Sequence, residues 1–157
     1  MGAVATGATI WCTHFVAMLA YRPGAEVAYE PLLTGLSLGV AIVGSAIGLW
    51  IGAQRPRASA VLGGGVFGLA VVFMHYLGMA AFAVEGVIHW SAAYVAASVV
   101  GAVLLGASAF EVTRQAGRNG VTWPGALLMV GGIVALHFTG MAAMTVIPFA
   151  PDAGQIT

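Results

Sequence analysis

Charge is what this chain of 157 residues has least of. It carries five arginines, no lysine and five acidic residues, so charged residues make up 6% of the sequence and hydrophobic residues 61%. A soluble domain is typically about one-quarter charged. So few charged residues cannot cover a water-soluble globule of this length, which excludes an ordinary cytosolic enzyme and a disordered segment.

Cysteine and basic surface are equally scarce. The single cysteine, Cys12, has no partner for an internal disulfide. Net charge is zero, so we expect no nucleic-acid partner. No basic segment precedes the first apolar run, and we expect no cleavable signal peptide. The sequence also offers no nucleophile beside a base and no phosphate-binding loop, which argues against an enzyme without excluding one.

Apolar sequence is abundant and falls into five blocks. Each is close to the roughly 20 residues that a helix needs to cross a bilayer, and only helices satisfy their backbone within one such segment. The predicted helices cover residues 2–20, 31–53, 59–84, 91–113 and 123–147. We therefore predict an all-α membrane protein, a single transmembrane domain over residues 1–157 with no soluble output domain.

Arginine positions predict the orientation. Arg55 and Arg57 lie between the second and third blocks, and Arg114 and Arg118 lie between the fourth and fifth. Because cytoplasmic loops carry an excess of basic residues, we expect this end and the N-terminus to face the cytoplasm. The opposite, external end holds Arg22, Glu26, Glu30, Glu85 and Asp152.

Three similar segments, each containing a histidine, repeat along the chain. They read WCTHFVAMLAY from residue 11, FMHYLGMAAFA from residue 73 and ALHFTGMAAMT from residue 135. His14, His75 and His137 are 61 and 62 residues apart, a period that fits two helices and two loops. Three such pairs make six helices, so we expect a pseudo-threefold bundle with a further helix ahead of the first visible one.

In each copy a methionine follows the histidine by four residues. The pairs are His14 with Met18, His75 with Met79, and His137 with Met141. Residues four apart share a helix face, so an imidazole and a thioether can converge on one point. The residue three positions after each histidine is small and leaves space for a neighbouring helix or a bound species. These residues are Ala17, Gly78 and Gly140. Met144, seven residues after His137, is expected to extend the same helical stripe.

The three histidines lie in the external halves of helices that run in the same direction. They can therefore meet at one level, since ionisable groups in a membrane normally face an interior or a cavity. Imidazole and thioether together favour copper, Cu(I) in particular, so Cu(I)/Cu(II) is the expected cofactor. Zinc suits thioether less. Haem, which histidine and methionine also ligate, is the second choice.

Three further residues are weaker candidates for the same site. Met74 is about 100° round the helix from His75 and is expected to pack rather than to ligate. Cys12 faces another side of the helix from His14, and we expect a small buried hydrophobe there. His89 stands beside Trp90 in an external connection and is expected at the membrane interface.

The segment Met74 to Met79, MHYLGM, resembles the signature of the MHYT family of bacterial integral-membrane sensor domains. The segments around His14 and His137 resemble the other two repeats of that family. The resemblance covers essentially the whole chain. It implies six or seven transmembrane helices in the bacterial inner membrane, with the motifs near the outer face. It also implies a copper site, a sensor of oxygen, carbon monoxide or nitric oxide, and linkage to cytoplasmic cyclic-di-GMP enzymes or kinases.

Three functions follow from these residues. The first is a sensory domain that binds copper through its His/Met pairs. The second is a membrane copper or haem enzyme for oxygen redox chemistry, which needs an open coordination position. The third is a metal-free structural bundle whose histidines make only interhelical hydrogen bonds.

Overall fold

The computed structural model describes residues 1–24, 26–117, 120 and 122–149. Five long helices dominate this part of the chain. They are α1 (Gly2–Leu19), α2 (Pro31–Gly52), α3 (Arg57–Ala80), α4 (Ala92–Ala116) and α5 (Trp123–Ala142). All five are long and apolar enough to cross a membrane. The predicted all-α architecture with five candidate membrane spans is confirmed.

The third and fifth helices end earlier than predicted. α3 ends at Ala80 and α5 at Ala142, and short strands follow, β2 (Phe82–Val84) and β4 (Met144–Pro148). Residues 145–147 are all β-branched, a composition that suits a pleated strand better than a helix. Hydrophobicity alone does not distinguish a short apolar strand from the continuation of a helix.

Two antiparallel ribbons cover the end of the bundle where α1, α3 and α5 finish. β1 (Val27–Tyr29) pairs with β2, and β3 (Gly86–Trp90) pairs with β4. Each ribbon joins the connections that follow two different helices. The C-terminal ends of α1, α3 and α5 therefore lie together, and these three helices run in the same direction.

The connections rich in arginine lie at the other end. Arg55 separates α2 from α3, and Arg114 lies in the last turn of α4, where it pairs with Glu111. Arg118 and Asp152, which the predicted orientation also used, lie outside the described residues. The two ends of the bundle therefore differ in charge as the sequence analysis expected, as far as the described chain extends.

Glycine permits the close approach of neighbouring helices. A Cβ added at Gly7 of α1 would lie 2.7 Å from the carbonyl oxygen of Ala41 in α2, and one at Gly48 of α2 would lie 2.9 Å from that of Gly63 in α3. Small residues at such contacts let membrane helices pack closely. α2 packs against both α1 and α3, and α4 packs against both α3 and α5. No element of the described chain fills the equivalent position between α5 and α1, where a groove remains.

Hydrogen bonds to two corresponding serines tie the first two histidine-bearing helices to their partners. The indole nitrogen of Trp11 donates to Oγ of Ser37 over 2.9 Å, and the Tyr76 hydroxyl lies 2.6 Å from Oγ of Ser98. Both serines are buried, and they stand 61 residues apart, the spacing of His14 and His75. The repeat thus extends into α2 and α4, a feature that the sequence analysis missed although the equal spacing was readable.

Replacing Ser98 with alanine is expected to lower the free energy of unfolding by about 1 kcal/mol, since interhelical hydrogen bonds in membranes contribute about 0.6–2 kcal/mol. The Tyr76 hydroxyl would also lose its partner in the interior. Reversible unfolding in detergent micelles measures the change. Ser108→Ala, at an exposed position of the same helix, is the matched control. Equal losses from the two variants would contradict the assignment.

Candidate metal centre

Three imidazoles meet inside the bundle, one from each of α1, α3 and α5. Nδ1 of His14 lies 3.1 Å from Nδ1 of His75 and 3.3 Å from Nδ1 of His137. The candidate ligand atoms of the three residues all lie within 4.8 Å of one another. The ring centroids are 4.9–5.5 Å apart, and the ring planes are close to perpendicular. The structure thus directs three ring nitrogens at one centre.

The three histidines differ in how deeply they lie. His14 is 5% exposed and His75 is 1% exposed, whereas His137 is half-buried. His75 is the deepest because α3 packs against both α2 and α4, whereas α1 and α5 each pack extensively against one of them. The helices of His14 and His137 flank the uncovered groove.

The small residue three positions after the histidine provides the space for an imidazole from another repeat. A Cβ added at Gly78 would lie 2.6 Å from Nε2 of His14, and one at Gly140 would lie still closer to Nε2 of His75. Each of these rings therefore lies directly against the backbone of the next histidine-bearing helix. The helix α3 thus receives the His14 ring at Gly78 and places its own His75 ring against Gly140 of α5.

The ring nitrogens are poorly satisfied by the protein itself. Nε2 of His14 and of His75 is buried and has no hydrogen-bond partner among the described residues. A neutral imidazole nitrogen is either a donor or an acceptor, so three Nδ1 atoms that face one another can form one good hydrogen bond at most. A buried polar group without a partner costs about 1–3 kcal/mol. A cation at the centre would accept all three Nδ1 lone pairs, and the protons of His14 and His75 would then lie on the unpartnered Nε2 atoms.

The spacing of the nitrogens fits a single transition-metal ion. Metal–nitrogen distances of about 2.0–2.1 Å place three ligands of one ion about 3.3–3.6 Å apart. The observed Nδ1 separations of 3.1 and 3.3 Å are close to that range. The separations from His14 to each of the other two histidines are therefore already close to those of ligands that share one ion.

The paired methionines form a second layer next to the ribbons. Met18 and Met79 are each 1% exposed and pack with ribbon residues, and Met141 lies partly buried against them. The cavity beside the histidines is lined by Met74 but by none of these three. Met74 is buried in the main apolar core. Coordination by Met18, Met79 and Met141 remains a prediction.

Met144 does not extend the helical face of His137. α5 has already ended at Ala142, and Met144 opens β4 opposite Trp90. The prediction of a continuous stripe was wrong because the chain leaves the helix two residues before this position. Met144 nevertheless reaches the methionine layer, where it is 5% exposed.

Two other weak candidates lie away from the centre. Cys12 is exposed, so the expectation of a buried position was wrong. Two residues along a helix turn the side chain about 200° from His14, and the bundle covers only the histidine side. His89 is exposed on β3, opposite Thr145 in the ribbon, and lies outside the cluster of three histidines.

The connections over the methionine layer are aromatic. Tyr29 of β1 packs edge-on against Phe15 and Phe82. Burial among these rings raises the pKa of the Tyr29 hydroxyl above its ordinary value. The end of the site beneath the ribbons is therefore covered by apolar and aromatic side chains.

A comparison with protein families identifies the repeat. The model of the MHYT family, a bacterial signalling protein N-terminal repeat, matches residues 7–65 and 68–127. The chain belongs to the MHYT family. The matched segments carry His14 and His75, and the copy around His137 follows them. This is an MHYT signalling domain.

Three relatives are much longer proteins. An uncharacterized signaling protein of Caulobacter vibrioides is 41% identical over 152 residues, which cover 92% of this chain and 18% of that protein. The cyclic di-GMP phosphodiesterase NbdA of Pseudomonas aeruginosa is 36% identical over 92% of this chain and 19% of NbdA. The bifunctional diguanylate cyclase/cyclic di-GMP phosphodiesterase MucR of the same organism is 36% identical over 90% of this chain and 22% of MucR. The chain spans about a fifth of their length. No solved structure shows significant similarity.

Proposed function

We propose that this MHYT domain is a membrane sensor that holds copper between Nδ1 of His14, His75 and His137, near the external face of the bacterial inner membrane. The convergence of the three nitrogens at 3.1 and 3.3 Å carries the proposal. The names of NbdA and MucR describe enzymes of cyclic di-GMP. They support a cytoplasmic cyclic-di-GMP enzyme as the signalling partner.

The donor set favours copper over other ions. Imidazole suits copper and zinc alike, whereas soft thioether favours Cu(I). The methionine layer and Met74 both place soft sulfur near the three rings. The described residues of the cluster include no carboxylate, which disfavours calcium and magnesium. The three rings touch one another, so a porphyrin plane would have to separate them, and a single ion fits with less movement than haem.

Three protein ligands leave a coordination position for a small molecule. Oxygen, carbon monoxide and nitric oxide are the molecules that such a copper ion would bind. A change in the distances between the three rings would move α1, α3 and α5 relative to one another. Because each of these helices crosses the whole bundle, the cytoplasmic ends would report the change.

Metal analysis tests the proposal. Purified domain in detergent, loaded with copper and passed over a competing chelator, is expected to retain about one copper per chain with a nitrogen-rich first shell in X-ray absorption. The visible spectrum should lack a Soret band. Loss of all copper to the chelator would leave a metal-free bundle, and a Soret band in the purified protein would identify haem instead.

A further inference from the structure

Two of the three histidine rings lie against a glycine of the next histidine-bearing helix. The ring of His14 in α1 lies against Gly78 of α3, and the ring of His75 in α3 lies against Gly140 of α5. Each glycine stands three residues after the histidine of its own repeat. Each repeat thus receives the imidazole of the repeat before it. A third contact of the same kind would place His137 of α5 against the residue of α1 that stands three positions after its histidine.

That third position is occupied by alanine. Ala17 stands three residues after His14, as Gly78 and Gly140 do after their own histidines. A Cβ added at either glycine would lie 2.6 Å or less from an imidazole nitrogen, whereas non-bonded carbon atoms pack about 3.5–4.0 Å apart. Because Ala17 carries this Cβ, an imidazole cannot approach α1 as closely as the other two rings approach α3 and α5.

The distances between the rings show a corresponding asymmetry. The ring centroids of His14 and His75 are 4.9 Å apart, whereas the centroid of His137 lies 5.4 Å from the first and 5.5 Å from the second. Nδ1 of His14 is likewise closer to Nδ1 of His75, at 3.1 Å, than to Nδ1 of His137, at 3.3 Å. Ala17 and His137 line the same cavity beside the centre, so they face one space between α1 and α5. His137 is therefore the ring that lies farthest from the other two.

We infer that Ala17 is a positioning residue that makes the centre asymmetric, with His14 and His75 as a fixed pair and His137 as the ligand that adjusts its position. The inference rests on the proposed function in one respect, because its consequence concerns bound copper. Neighbours that orient a ligand change metal affinity about 10- to 100-fold, and ligands fixed by packing are pre-organised for the metal. His137 lacks such a contact, so it is the ligand that yields when copper is released or when a small molecule binds. The helix that follows this movement is α5.

Ring order in the copper-free domain tests the asymmetry. NMR relaxation of the imidazole Cε1–H groups is expected to give His137 a lower order parameter than His14 and His75. Ala17→Gly removes the obstructing Cβ, so His137 should become as ordered as the other two rings. Ala5→Gly, the same change at an exposed position of α1, carries the same loss of helix propensity and should leave the difference intact. Equal order of the three rings in the wild type, or no response to Ala17→Gly, would overturn the inference.

Copper release measures the consequence. A Cu(I) chelator is expected to remove copper about tenfold more slowly from Ala17→Gly than from Ala5→Gly, since a better positioned third ligand mainly slows dissociation. Ala17→Val enlarges the obstruction and should accelerate release about tenfold, and it replaces Ala17→Gly if that variant does not fold. Equal release from Ala17→Gly and Ala5→Gly would contradict the assignment of His137 as the ligand that yields. A domain that retains no copper would overturn the proposed function alone, because ring order is measured without metal.

Discussion

Replacing Gly140 with alanine is expected to displace the imidazole of His75 and to weaken both the fold and copper binding. The added Cβ would overlap Nε2 of a ring that is 1% exposed. Forcing an extra carbon into a well-packed interior costs about 1–3 kcal/mol. The displaced ring would also leave the centre shared with His14. Reversible unfolding in micelles and copper competition measure the two losses.

Gly131→Ala provides a matched control in the same helix. A Cβ at Gly131 meets nothing within 4 Å. Alanine also has the higher helix propensity, by about 0.8–1.0 kcal/mol in water-soluble helices. We therefore expect this variant to be neutral or slightly more stable and to bind copper normally. Wild-type copper affinity in Gly140→Ala would show that the space at Gly140 does not position the imidazole of His75.

The sequence predicts the histidine cluster because period and direction are enough to bring the three residues to one level. Copies 61 and 62 residues apart place each histidine on a helix of the same direction, and the cost of an ionisable group in lipid turns it inward. The sequence does not show which histidine packs against each small residue. Gly78 receives His14 and Gly140 receives His75, a relation between repeats that no spacing within one motif can show.

The separation of the histidine nitrogens and the methionine sulfurs into two layers also does not follow from the four-residue spacing alone. A separation of four residues places His75 and Met79 on one face, yet it also moves the methionine about 6 Å along the helix axis. That rise carries Met79 into the layer beneath the ribbons. The ribbons were missed because residues 82–84 and 144–147 are mostly apolar, and a short apolar run is compatible with a strand or with the end of a helix. Cys12 is exposed because one side of α1 is not covered by another helix, and the sequence around Cys12 does not show which side that is.

Replacing His14 with alanine is expected to abolish the stabilisation of the domain by copper. Nδ1 of His14 is within 3.3 Å of both other Nδ1 atoms, so its loss removes the nitrogen that links the cluster. Substitution of residues that hydrogen-bond to metal ligands typically lowers metal affinity about 10- to 100-fold. Loss of His14, a ligand itself, should lower copper affinity more than about 100-fold. Copper at about 100 times its dissociation constant should raise the free energy of unfolding of the wild type by about 2.7 kcal/mol. The variant should show almost none of this increase.

His89→Ala separates the role of the cluster from a general effect of histidine. His89 is exposed on β3, outside the group of three, so its removal should leave the stabilisation by copper intact. The comparison uses the difference between copper-loaded and copper-free protein. It is therefore insensitive to the stability that His14→Ala itself loses through the space left in the core. An equal copper-dependent increase in both variants would mean that copper binds elsewhere, and that the three convergent imidazoles serve only to pack α1, α3 and α5 together.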